Sequence, residues 1–239
     1  MNKKCFKARA KIKSINLNSD ITIWYAKISD LISLILNKNI DNDFKVKLNT
    51  KFVQNDFKTP LFSNAEIETI NNFKALKKQI EWITSRYLTK NMAKHFLLKD
   101  TPLNKISLLR EEKGAPFFEN LVDIHTSLSH SNDYTIAALS KNKNIGIDIE
   151  KIRKKPDADF MKIAFTKNER LEIKDTAESI FKHWTIKEAY LKYIKKGFHE
   201  NLYKVEVINN EIFHNQKKVK VNIYSTLINK TYILSIVYD

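Results

Sequence analysis

Residues 145–151 alternate, with Ile145, Ile147 and Ile149 on one face of an extended chain and Asp148 and Glu150 on the other. A period of two predicts a half-buried strand. Residues 123–129 and 134–139 read as strands too, and 134–139 is expected to pair with 145–151 as a hairpin across the polar turn Lys141-Asn142-Lys143-Asn144. Upstream, 21–28 reads as a first strand, 31–36 as the start of a helix and 64–98 as one or two helices with apolar residues at helical spacing. Residues 100–121 carry Pro102, Gly114 and Pro116 and read as a linker or binding loop. After Pro156 the pattern turns helical, with short helices near 160–164 and from Lys167, then a long one over about 178–196, where Gly197 takes the C-cap position. The tail (202–208, 211–214, 219–225 and 231–238) reads as an antiparallel meander with an Asn209-Asn210 turn. The chain is mixed α and β; no repeat of solenoid length recurs, although both halves combine strands with a long helix.

Composition sets the scale of that picture. The 239 residues are 43% hydrophobic and 29% charged, enough for one large domain or two modest ones. One cysteine, Cys5, excludes an intrachain disulfide and fits a reducing compartment. The most apolar runs, 31–36 and 232–238, fall far short of the roughly 20 residues a membrane span needs. Residues 1–13 are basic with no apolar stretch after them, unlike a secretory signal, so a cytoplasmic location and no membrane partner are expected. A formal charge of +15 favours acidic partners, among them nucleic acid, anionic lipid, a polyphosphate cofactor or an acidic protein.

The acidic face of the 145–151 strand carries the candidate chemistry. Same-face neighbours in a strand lie roughly 7 Å apart, so ionised Asp148 and Glu150 repel unless something positive stands between them. A hard divalent cation with oxygen ligands answers this; a solvated acidic edge answers it more plainly. The long helix adds a third carboxylate. On a wheel of about 100° per residue, Ile180, Phe181 and Leu191 cluster around Trp184, and Glu188 falls inside the same apolar arc. A carboxylate there needs a cationic partner, a metal or a proton. Lys192 offers an i,i+4 ion pair; a magnesium site of Asp148, Glu150 and Glu188, ringed by Lys187, Lys192 and Lys195, is the other solution. That set would suit phosphoryl or pyrophosphate transfer, with substrate phosphate completing the ion's shell and lysines neutralising the remaining charge.

Four motifs in order sharpen the reading: Leu128-Ser129-His130-Ser131, Gly146-Ile147-Asp148-Ile149-Glu150, Phe165-Thr166-Lys167-Asn168-Glu169, and Trp184 to Lys192 with Thr185, Lys187, Glu188 and Ala189. Together they resemble the 4'-phosphopantetheinyl transferases, and by length the larger, surfactin-type branch. The resemblance covers about residues 110–200; Trp82, Arg86 and Leu88 are similar to that branch's N-terminal helix. It implies an α+β fold of two similar lobes related by a pseudo-twofold, each a small, mainly antiparallel sheet packed on a long helix. Residues 1–19 would form an N-terminal extension, 20–122 the N-terminal lobe, and 123–239 the C-terminal lobe carrying the metal site.

The resemblance further implies transfer of phosphopantetheine from coenzyme A, as co-substrate, to a serine of an acidic acyl or peptidyl carrier protein, releasing adenosine 3',5'-bisphosphate. Mg2+ would be held by Asp148, Glu150 and Glu188. Glu188 is the implied general base, a metal-bound water held by Glu150 the competing assignment, and Lys192 with Lys187 the charge stabilisers. Ser129 and His130 would contact the 3'-phosphate region, and Arg86 would belong to the coenzyme-binding set. The family's lysine before its proline is Ala115 here, which leaves Lys113 to reach the same phosphates. A monomer with no nucleic-acid partner is expected. The alternative is a metal-dependent nuclease or nucleic-acid-binding protein, for which acidic ligands, adjacent lysines and Glu111-Glu112-Lys113 would also serve. A purely non-enzymatic interaction module leaves Glu188 on its apolar stripe unexplained.

Overall fold

The computed structural model describes residues 11–36, 52–57 and 60–239. Cys5 and most of the basic N-terminus lie outside them. The first unit comprises β1 (Lys13–Asn16), β2 (Ile21–Lys27), α1 (Ile28–Leu36), α2 (Asn64–Asn72), α3 (Leu76–Phe96), β3 (Leu108–Arg110), β4 (Pro116–Phe118), β5 (Ile124–Ser131) and β6 (Tyr134–Lys141). Its strands form one antiparallel sheet in the order β1-β2-β6-β5-β4-β3. The second unit comprises β7 (Ile145–Lys151), α4 (Ala158–Ala164), α5 (Lys167–Glu172), α6 (Ala177–Tyr193), β8 (Val205–Ile208), β9 (Glu211–His214), β10 (Lys217–Lys218), β11 (Asn222–Ile228) and β12 (Tyr232–Tyr238). Here two three-stranded sheets form, β11-β12-β7 and β10-β9-β8. The antiparallel α+β class is as expected, and no helix among the described residues is long and apolar enough to cross a membrane.

Burial on both sides explains why the expected 134–151 hairpin does not form. Along β6, Ala137 and Leu139 face the core under α1 and α3, while Ile136 and Ala138 face the isoleucines of β7. A strand covered on both faces is a central strand, and β6 pairs with β2 and β5. Asn142, at positive φ (58°), leads the chain out of that sheet, and β7 pairs instead with β12. β5 and β6 therefore share one sheet with β1–β4, and Lys13–Asn16 forms its edge strand on β2.

Both units lock a helix N-terminus in the same way. Ser63 and Glu66 form a reciprocal capping box at α2, and Thr166 and Glu169 form another at α5. Into the first comes Lys90 of α3, whose Nζ donates to Glu66 Oε2 (2.7 Å) and the Leu61 carbonyl (3.0 Å) and lies 5.4 Å from the Phe62 ring centre. Into the second comes Lys187 of α6, donating to Glu169 Oε2 (2.7 Å) and the Ala164 carbonyl (2.9 Å), with Phe165 at 5.6 Å. Each long helix also meets a strand through a hydroxyl pair, Ser85 with Thr135 at 2.9 Å and Thr185 with Ser235 at 2.7 Å.

Helix α6 ends in a Schellman motif, but its left-handed residue is Lys195 (φ 55°) and not Gly197. The Lys196 N–H donates to the Leu191 carbonyl (3.1 Å) and the Lys195 N–H to that of Lys192 (3.0 Å). Gly197, itself at φ 49°, opens the short turn that follows.

Candidate active site

The acidic face of β7 looks onto α6, and Gly146 is what lets the two approach. A Cβ on Gly146 would stand 2.0 Å from the Ala189 carbonyl oxygen and 2.2 Å from the Tyr193 nitrogen, both backbone atoms. With the helix seated this closely, Glu188 and Lys192, one turn apart, come to the acidic face of the strand. Asp148 is 2% exposed. Its Oδ1 accepts from Ser129 Oγ (2.7 Å) and from Lys192 Nζ (2.7 Å), and Lys192 also donates to Ser129 Oγ (2.9 Å). Glu150 Oε2 accepts from Ser131 Oγ (2.7 Å).

Electrostatically this cluster has too little positive charge. Burial, then the neighbouring Asp148, pushes the Glu188 carboxyl up to about 8. The same two causes, in the same order, raise Glu150. Burial alone would lower the Lys192 ammonium, but Asp148 and Glu188 hold it above its ordinary value. Asp148 Oδ2 is buried without a hydrogen-bond partner among the described residues. As the side chains stand, no three His, Cys, Asp or Glu among the described residues are arranged as a metal cage. The donor set nevertheless fits a hard divalent cation, because it offers an unused buried carboxylate oxygen and two carboxylates destabilised by burial and mutual repulsion.

Glu188 and Lys192 connect the cluster to a cavity of about 840 Å³, which Asp148 and Glu150 do not themselves line. Glu188, Lys192, Lys195, His130, Arg86 and Lys113 all line it, so most of the residues singled out from the sequence meet there. Burial lowers the basicity of the His130 ring, and Glu81 opposes that effect. Arg86 reaches the wall with its guanidinium already engaged: Nη1 donates to the Leu108 carbonyl, Glu66 lies 3.9 Å away, and the group stacks 4.6 Å from the Trp82 ring centre. Burial brings it down to about 10.

Two assignments move. Lys187 does not face the cavity; it is fully buried against Glu169, because it sits about 100° around the helix from Glu188. Ser129 turns its hydroxyl to Asp148, away from the cavity that its neighbour His130 lines. Alternation along β5 causes this. Ser127, Ser129 and Ser131 share one face, and Ser127 and Ser131 accept from the β7 N–H groups of Ile147 (3.0 Å) and Lys151 (3.2 Å). This serine row, which joins the two sheets and holds both strand carboxylates, was missed from the sequence. Its S-x-S-x-S spacing was the available signal. Also unforeseen is the ion pair of Glu111 with Lys195 at 2.6 Å, which ties the 111–115 loop to the end of α6.

Comparison with known proteins bears on the same residues. Residues 144–237 match the sequence model of the 4'-phosphopantetheinyl transferase superfamily. The chain is 34% identical over 132 residues to 4'-phosphopantetheinyl transferase gsp of Aneurinibacillus migulanus, covering 52% of this chain and 54% of that protein. With 4'-phosphopantetheinyl transferase Sfp of Bacillus subtilis (strain 168) it shares 36% identity over 92 residues, 36% of this chain and 40% of the relative. It is 26% identical over 122 residues to the L-aminoadipate-semialdehyde dehydrogenase-phosphopantetheinyl transferase of Xenopus laevis, covering 44% of this chain and 40% of that protein. The chain thus spans about half the length, or less, of the curated relatives it matches. Through residues 144–237, which include β7 with Asp148 and Glu150 and α6 with Glu188, the chain is similar to the 4'-phosphopantetheinyl transferase superfamily.

Proposed function

We propose that the protein transfers 4'-phosphopantetheine from coenzyme A to a serine hydroxyl of an acyl or peptidyl carrier protein and releases adenosine 3',5'-bisphosphate. The observation that carries this reading is the under-neutralised cluster of Asp148, Glu150 and Glu188, which Glu188 and Lys192 connect to a cavity large enough for a nucleotide-sized ligand. Magnesium held by the three carboxylates would neutralise the pyrophosphate of the bound coenzyme. Lys192, fixed by Asp148 and Ser129, places its ammonium to stabilise charge growing on the departing phosphate. Glu188 is the acceptor assigned to the carrier serine's proton, because its own proton, held to about 8 by burial and Asp148 in the metal-free site, is released when a cation binds beside it. A water held by Glu150 is the competing base.

In this reading His130, Arg86 and Lys113 bind the nucleotide end, and the basic surface of the +15 chain steers an acidic carrier toward the site. The repeated capping lock and the two hydroxyl pairs support a pseudo-twofold relation between the units. A cytoplasmic monomer is part of the proposal.

Mass spectrometry of an apo carrier incubated with coenzyme A and magnesium tests it. One phosphopantetheine should be added, with the rate falling at least about a thousandfold, or about 4 kcal/mol, in Asp148→Ala and Glu188→Ala. No mass gain with any carrier, accompanied by cleavage of DNA or RNA, would favour the nuclease.

A further inference from the structure

Behind a histidine and a lysine of the cavity wall stands a carboxylate that the mechanism leaves unused. Glu81 of α3 is 5% exposed and does not itself line the cavity, yet His130 and Lys78, which do, both converge on it. The His130 Nδ1 lies 3.7 Å from Glu81 Oε1, and the Lys78 Nζ lies 3.7 Å from Glu81 Oε2. Lys77 adds a second lysine, 3.7 Å from Oε1, from its exposed position one residue before Lys78 in the helix. Oε2 is buried and has no hydrogen-bond partner among the described residues. A buried carboxylate oxygen left in that state is costly.

We infer that Glu81 is a positioning residue, which holds His130 and Lys78 side by side as a cationic wall for a phosphate monoester of the ligand bound in the cavity. With Nδ1 turned to Glu81, the ring's other nitrogen, Nε2, is on the opposite edge. The groups acting on that ring come from three elements. Glu81 and Lys78 lie on α3, Asp148 on β7 and Lys192 on α6, and of these Glu81 is the largest influence favouring the charged ring. An anion approaching His130 therefore meets a ring held in place with Lys78 beside it, and Glu81 opposes the loss of basicity that burial causes. Glu81 does not touch the ligand; it acts through its neighbours. This rests on the transferase reading, since it assigns a role to one wall of that site.

Coenzyme A and dephospho-coenzyme A differ by one phosphate monoester, so calorimetric titration of both into the carrier-free protein isolates the claim. Wild type should prefer coenzyme A, and Glu81→Gln, which keeps the shape and removes the charge, should weaken coenzyme A about tenfold while changing dephospho-coenzyme A less than twofold. In a His130→Ala background, Glu81→Gln should weaken coenzyme A by less than the tenfold it causes alone, with Lys78 accounting for the remainder. Lys78→Ala, at an exposed position that leaves the fold intact, should weaken coenzyme A alone by about threefold. Equal weakening of both ligands by Glu81→Gln, or an undiminished tenfold effect in the His130→Ala background, would overturn the inference and leave the transferase reading standing. Failure of the wild-type protein to bind either ligand would overturn both.

Discussion

The first and second units each close a helix N-terminus with a hydroxyl, a glutamate three residues on and a buried lysine, and the second also gathers Asp148, Glu150 and Glu188 around a single lysine, Lys192. In the locks each lysine finds a carboxylate, a carbonyl and a phenylalanine face. In the site, Asp148 keeps an unpaired oxygen, and Glu150 and Glu188 hold their protons more tightly than free carboxylates do. Lys187 and Lys192, five residues apart on α6, stand on either side of this divide. The contrast separates what holds α6 in place from what the helix presents, and burial of a lysine alone does not tell the two apart.

Substitution by methionine should break the comparison most sharply. Lys187→Met strands Glu169, itself 0% exposed, and should cost about 3–5 kcal/mol of folding stability by chemical denaturation. Lys90→Met should cost less, because Arg86 remains 3.9 Å from Glu66. Lys192→Met also strands a carboxylate, but magnesium should bring its melting temperature back toward that of wild type with magnesium, whereas Lys187→Met should stay below wild type by the same margin with and without the metal. If magnesium rescued neither variant, the site would be a structural pair like the lock. Next in size is Gly146→Ala, which sets a methyl group against helix backbone at 2.0 Å and should cost about 3 kcal/mol while moving Glu188 away from β7.

The sequence exposed the site better than it exposed the sheet. The alternation of β7, the helical stripe of α6 and the placement of Glu188 are local periodicities, and local periodicity survives folding. Pairing partners are not local: β6 and β7 lie either side of a polar turn, and only burial of Ile136 and Ala138 on one face and Ala137 and Leu139 on the other sends them to different sheets. Lys187 was misplaced because motif adjacency says nothing about the 100° between consecutive helical side chains. The two Phe-Ser/Thr-x-x-Glu segments, beginning at Phe62 and Phe165, were both readable, yet the lysines that complete them come from distant helices.

Acidity should sharpen the contrast through the site. Glu188 ordinarily releases its proton near 4.5 but holds it to about 8 in the folded protein, so the native state binds more protons across that window. This stabilisation is fully present below 4.5 and is lost as pH rises through about 8. Thermal melts of the metal-free protein should therefore fall in midpoint over that range, and Glu188→Gln should flatten the slope. An unchanged slope in Glu188→Gln would remove the charge imbalance from the site.

The smallest expected effect concerns the end of α6. Lys195 adopts the left-handed conformation that closes the helix, at a cost of roughly 1–2 kcal/mol for a residue with a Cβ. Its ammonium gains only a partly exposed pair with Glu111 in return, worth about 0–1 kcal/mol. Lys195→Gly should therefore stabilise the protein slightly, by about 1 kcal/mol at most, whereas Lys195→Ala keeps the strain, loses the pair and should destabilise it by a similar or smaller amount. Both losses free the 111–115 loop from the cavity wall. If coenzyme A binding weakens in both variants while stability moves in opposite directions, Lys195 is kept for the ligand rather than for the helix, on the same side of the divide as Lys192.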